Sequence, residues 1–104
     1  MRVRARHAMA TLAMAVLPAV AAGETHTVTV EGMKFQPETL TVRRGDTVVW
    51  QNKDIVPHTV TAAGRFDSGP IGAGARWSWI AGQAGRLEYV CAFHAGMKAA
   101  VVVQ

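Results

Sequence analysis

From Thr25 onward the sequence alternates apolar and polar residues in steps of two, and a strand is the regular structure that such a period suits. Successive strand side chains point to opposite faces, so one face is offered to a core and the other to water. Thr25 to Val30 reads THTVTV, with Val28 and Val30 on one side and threonines on the other. Thr39 to Val42, Thr47 to Gln51, Thr59 to Ala62, Arg76 to Ile80, Arg86 to Cys91 and Ala99 to Val103 give further short strands. Trp77 and Trp79 share one face, as do Leu87, Tyr89 and Cys91. Seven to eight short strands separated by Gly- and Pro-containing turns predict an all-β fold, a β-sandwich of two sheets packed face to face. Gly64, Gly69, Gly72 and Gly74 fall together with Pro70 and read as a long surface loop. A phosphate-cradling loop would need a Lys-Ser/Thr pair and a following helix, and this stretch has neither.

The first 22 residues are of another kind. Arg2, Arg4 and Arg6 precede an apolar run from Ala8 to Val20, and Ala19-Val20-Ala21 or Val20-Ala21-Ala22 suits a signal-peptidase cut. The run is shorter than the roughly 20 apolar residues of a membrane span. It also carries Pro18 and leads straight into polar Glu24-Thr25-His26. No cysteine sits near the cut to take a lipid anchor. Residues 1–22 are therefore expected to be a removed signal peptide, and 23–104 one exported periplasmic domain with no stable membrane insertion. Three of the eleven basic residues leave with that leader, so the formal net charge of +4 falls to +1. The remaining charges are scattered and mixed in sign, which reads as a solvated surface. A nucleic-acid partner would require basic residues clustered on one face.

A domain of roughly 80 residues has a core worth only about 3–5 kcal/mol, and small exported domains usually add disulfides or a metal. With one cysteine, Cys91, this chain can form no internal disulfide. A metal would both occupy the thiolate and staple the fold. Tyr89-Val90-Cys91-Ala92-Phe93-His94-Ala95-Gly96-Met97 delivers Cys91 from a strand and then presents His94 and Met97 at three-residue intervals. Far upstream, Pro57-His58-Thr59 places another histidine at the start of a strand. One thiolate, two imidazoles and one thioether form a soft donor set, and a His₂Cys site with a long axial Met describes a blue-copper electron-transfer centre. Structural zinc uses four Cys or His ligands, and a thioether serves it poorly. Calcium and magnesium want oxygens, and no carboxylate cluster accompanies these residues. His58, Cys91, His94 and Met97 are thus the candidate ligands of one copper ion.

Gly45 to Asn52 (GDTVVWQN) matches the pattern GDTV-x-W-x-N, and Pro57-His58-Thr59-Val60 and Tyr89-x-Cys91-x-x-His94-x-x-Met97 follow in order. In these motifs the chain resembles the cupredoxins, or type 1 blue copper proteins, and within them the amicyanin type, which has the same two-residue spacer between histidine and methionine. The resemblance covers nearly the whole chain after the leader. It implies a Greek-key cupredoxin-like sandwich, one type 1 copper ion, and an electron carrier rather than an enzyme. The implied partners are transient, a donor dehydrogenase and a c-type cytochrome or similar acceptor, met by a monomer. It further implies that His94 shows one ring edge at the surface, among apolar groups such as Pro57, Phe93 and Ala95. The chain departs from the type at Thr59, where Asn commonly links the two ligand loops, and at Ala95, where Pro is common. The Thr59 hydroxyl can do part of the work of that Asn.

The other chemically suggestive residues have plainer readings. Met33, beside Phe35, reads as core packing, and His26 as an exposed residue. Trp50, Trp77, Trp79 and Tyr89 are expected to pack the core rather than to carry electrons. The alternative function is a periplasmic copper chaperone or buffer. Such proteins carry Met- and His-rich segments, whereas Met33 and Met97 are the only methionines after the leader. A copper enzyme would need a second histidine cluster that the sequence does not offer.

Overall fold

The computed structural model describes residues 23–104; the expected signal peptide and its cleavage point lie outside the described residues. Among the described residues there are nine strands: β1 (Thr25–Glu31), β2 (Lys34–Gln36), β3 (Thr39–Val42), β4 (Thr47–Asn52), β5 (Thr61–Ala62), β6 (Phe66–Asp67), β7 (Arg76–Ile80), β8 (Gly85–Val90) and β9 (Lys98–Val103). They form one sheet in the order β2-β1-β4-β7 and a second in the order β3-β9-β8-β5-β6. Both sheets are mixed. β1 runs parallel to β4, with Val28 opposite Trp50, and β3 runs parallel to β9, with Leu40 opposite Val101. The other pairings are antiparallel, among them β8 with β9 from Gly85↔Val103 to Val90↔Lys98. The all-β sandwich expected from the two-residue period is the observed fold.

The period sets the core directly. Val28 and Val30 of β1, Val48 and Trp50 of β4, Leu87 and Tyr89 of β8, and Val101 and Val103 of β9 are all buried. Each such side chain taken fully out of water contributes about 1.5–3 kcal/mol. β-branched valines suit the pleated surface that they build. Trp50 is the centre of an aromatic cluster: its ring lies 5.5 Å from Tyr89 at 88° and 5.4 Å from Trp77. Phe66 lies 6.1 Å from Trp50 and meets Trp79 at 5.0 Å, both pairs tilted. The indole N–H of Trp50 donates to the Tyr89 hydroxyl at 3.1 Å, which satisfies both polar tips inside the core. Burial pushes the Tyr89 phenol up to about 12, against a smaller opposing effect of the Trp50 hydrogen bond, so the pair stays neutral. Packing is therefore the role of these aromatic residues, as expected.

Several expectations require correction. β2 and β6 were not anticipated, because strands of three and two residues are too short to show a period. The glycine-rich stretch 64–74 is not a plain surface loop: it contains β6, and Ile71 is buried and pairs with His58. Met33 is not core; it is 42% exposed, in the β1–β2 turn with φ of 61°. Phe35, two residues on, faces inward instead. His26 is not an exposed residue but half-buried, with 22% of its side chain accessible. Nor are all the charges solvated, because Asp46 is buried.

Asp46 knots the start of the domain to the β3–β4 turn. Its carboxylate accepts N–H bonds from Arg43 and Glu24, each at 2.9 Å, and pairs with His26 Nε2 at 2.9 Å. The Arg43 amide, the His26 ring and the Glu24 amide together outweigh burial and hold the carboxyl below the usual Asp range. A depressed folded pKa stabilises the protein fully above about pH 5, less as pH falls below the ordinary value near 4, and not at all beneath the folded value. The stability difference between the protein and its Asp46→Asn variant, measured by urea unfolding, should therefore be largest near pH 7 and shrink towards pH 3. A difference that does not change over that range would refute the role given to this carboxylate.

Candidate metal centre

Two loops at one end of the sandwich carry the candidate residues. His58 lies between β4 and β5, and its backbone is pinned to Ile71 by reciprocal bonds of 3.1 and 2.7 Å. Asn52, fully buried at the end of β4, donates through Nδ2 to the carbonyls of Val56 and Ile71, both at 2.9 Å, and so shapes the same loop. Cys91 follows the last residue of β8, and Met97 precedes β9. Between them the chain closes on itself. Cys91 N–H donates to the Met97 carbonyl at 2.9 Å, His94 N–H to the Cys91 carbonyl at 3.4 Å, and Met97 N–H to the His94 carbonyl at 3.3 Å. Gly96, at φ of 79°, takes the left-handed position that this tight turn requires.

Folding brings three donor atoms together. Cys91 Sγ lies 3.3 Å from His94 Nδ1 and 3.7 Å from His58 Nδ1, and the two ring nitrogens are 3.2 Å apart. His58 and Cys91 are buried, His94 is half-buried, and Met97 is buried at the end of the same loop. No carboxylate is among the three, so the cluster offers one sulfur and two imidazole nitrogens in a nearly water-free place. That donor chemistry fits a soft, imidazole-accepting ion such as copper. Thr59 N–H donates to Cys91 Sγ at 3.3 Å, which fixes the sulfur against the His58 loop.

Thr59 also bridges the two loops. Its hydroxyl accepts the Ala92 N–H at 2.7 Å and contacts the Thr61 hydroxyl at 2.9 Å, which in turn donates to Asp67 Oδ1 at 3.1 Å. With Thr61 donating to Asp67, the Thr59 proton points to Thr61 and its lone pair to Ala92. A threonine thus makes the inter-loop link expected of it, in place of the Asn.

All four expected residues lie in these two loops at one end of the sandwich. Outside the expectation were Asn52 and Asp54. Asp54 Oδ2 lies 2.7 Å from His58 Nε2. Burial raises the pKa of Asp54, but the amides of Met33 and Gly32 and the His58 ring prevail and leave it lowered. An acid four residues before a candidate histidine is the signal that the sequence offered for Asp54. A second cluster, Glu24, His26 and Asp46, stands at the start of β1 and the β3–β4 turn, but its central carboxylate is already saturated by backbone donors.

A two-sheet β-sandwich with His, Cys and His converging at one end defines a class, and the chain belongs to it. The model of the cupredoxin-like domain family matches residues 5–103, and this protein is a member of that family. Among individual proteins it is similar to amicyanins. Amicyanin-alpha of Methylorubrum extorquens is 33% identical, over 93% of this chain and 88% of that protein. Amicyanin of Paracoccus versutus is 29% identical over 72% of this chain, which spans 61% of that protein's length. A solved Cu(I) form of an amicyanin variant superposes with a TM-score of 0.73 at 32% identity, over 83% of this chain and 87% of that one. Cupredoxins bind a copper ion, and this chain carries the family's His, Cys, His and Met arrangement.

The Thr59 link predicts a separable mutational effect. Thr59→Val keeps the shape but orphans the Ala92 N–H, and is expected to cost about 1–3 kcal/mol in urea unfolding of the copper-free protein. Thr59→Ser keeps the hydroxyl and loses one methyl group, for about 0.8 kcal/mol or less. Equal losses in the two variants would remove the hydroxyl from the account of the site.

Proposed function

We propose that this protein is a periplasmic electron carrier, with one copper ion held by His58, Cys91, His94 and Met97. The observation that carries this reading is the convergence of Cys91 Sγ with the Nδ1 atoms of His58 and His94, within 3.7 Å of one another. Copper bound there supplies a Cu(II)/Cu(I) couple for single electrons. The protein residues do the rest. The paired loops hold the donors at fixed positions, and burial of His58, Cys91 and Met97 excludes water. His94, half-buried, gives the site its outlet to the surface.

Phe93, against His94, is 51% exposed, and on the His58 loop Ile55 is 94% exposed, with Val56 and Pro57 also accessible. Such a small apolar surface suits brief docking, and weak redox encounters bury less than about 1,200 Å². The partners proposed are a dehydrogenase as donor and a c-type cytochrome or similar acceptor, met by a monomer. Residues 1–22, with their arginines, apolar run and small residues, support export by a cleaved signal peptide. No helix among the described residues is long and apolar enough to cross a membrane.

A carrier and a copper buffer differ in what happens to the reduced ion. Repeated chemical reduction and reoxidation in the presence of a weak Cu(I) chelator should leave the protein fully loaded through many cycles. Loss of copper to the chelator in the first reduction would transfer the reading to a chaperone or buffer.

A further inference from the structure

The β1–β2 turn, which belongs to the sheet edge and not to either ligand loop, reaches the metal centre through a single carboxylate. Gly32 N–H donates to Asp54 Oδ1 at 2.7 Å and Met33 N–H to Asp54 Oδ2 at 3.1 Å. The same Oδ2 lies 2.7 Å from His58 Nε2. Asp54 N–H is held in turn by the Asn52 side chain at 2.9 Å, so the acid is fixed at both ends. Gly32 and Met33 stand at φ of 63° and 61°. Left-handed backbone is natural for glycine and rare for a bulky residue such as methionine. At Met33 it accompanies the alignment of two successive amides on one carboxylate, and strain of this kind persists only where the surroundings over-determine it.

We propose that Asp54, cradled by the Gly32–Met33 turn, is a positioning residue for the metal centre: it holds the proton of His58 on Nε2 and so keeps Nδ1 free and aimed at Cys91 and His94. The inference rests on the copper-carrier reading above. A neutral imidazole has one donor nitrogen and one acceptor, and an ionised carboxylate can only accept. The 2.7 Å contact therefore puts the proton on Nε2, and the lone pair falls on Nδ1, the nitrogen that faces the cluster. A carboxylate partner of this kind fixes a histidine ligand's tautomer and orientation. The negative charge of Asp54, held 2.7 Å from the ring, favours the more highly charged state of a bound ion. Asp54 thereby holds the potential of the site down, and the β1–β2 turn acts on that potential through Asp54.

Nitrogen-detected NMR of the copper-free protein tests the tautomer without any variant: a His58 Nε2–H is expected, and a proton on Nδ1 would overturn the proposal. Asp54→Asn, close in shape and without charge, is expected to weaken copper binding about tenfold or more. It should also shift the one-electron equilibrium towards the reduced state by up to tenfold, a rise in midpoint potential of up to about 59 mV. Asp54→Asn with unchanged potential and copper affinity would reduce Asp54 to a structural role and overturn the proposal. Failure of the wild-type protein to bind Cu(II) through Cys91, seen as absence of the thiolate charge-transfer band, would instead strike the underlying copper-carrier reading.

Discussion

Thr59 joins the two halves of the candidate centre, and the arrangement of the site depends on it. Its amide reaches Cys91 Sγ and its hydroxyl takes the Ala92 amide, so one residue beside His58 holds the loop that carries Cys91, His94 and Met97. The His58 loop leaves β4 of one sheet and enters β5 of the other, where Thr61 pairs with Val90 beside Cys91; the Thr59 bonds extend that pairing into the site. With them, three donor atoms meet inside a domain that has no disulfide to brace it. The same economy appears at the opposite element ends, where Asp46 gathers Arg43, Glu24 and His26.

A site that carries electrons benefits from donors that stay put. Here the restraint is distributed. His58 is held at its backbone by Ile71 and at its ring by Asp54, while the Cys91–Met97 loop is closed by its own backbone bonds. A buried hydrogen bond that loses one partner costs about 1–3 kcal/mol. Displacing any one ligand would break several such bonds, so the loops resist rearrangement. Rigid donors and a half-buried His94 suit transfer at the surface better than surrender of the ion.

What could be read from the sequence followed from strong local signals. Thr39–Val42 and Arg76–Ile80 were placed to the residue, because alternation over four or five positions leaves no other register. The candidate donors stood out because Cys91, His94 and Met97 lie within one short stretch whose chemistry has few explanations. The residues that support them were not. Asp54 and Asn52 act across the fold, on the β1–β2 turn and on the loop before β7, and no local spacing announces such contacts. Met33 was misjudged for a related reason: hydrophobicity suggested burial, but the turn geometry needed for two amides to meet Asp54 turns its side chain out. His26 and Asp46 looked like ordinary surface charges until the parallel pairing of β1 with β4 brought them together.

The central claim is that Cys91 binds copper in company with His58, His94 and Met97. The visible absorption spectrum of the protein after addition of Cu(II), compared with that of Cys91→Ser, tests it most directly. An intense orange-red band from thiolate-to-copper charge transfer, present in the protein and lost in the variant, is the expected result. A colourless protein, or a spectrum that the Cys91→Ser substitution leaves unchanged, would contradict it.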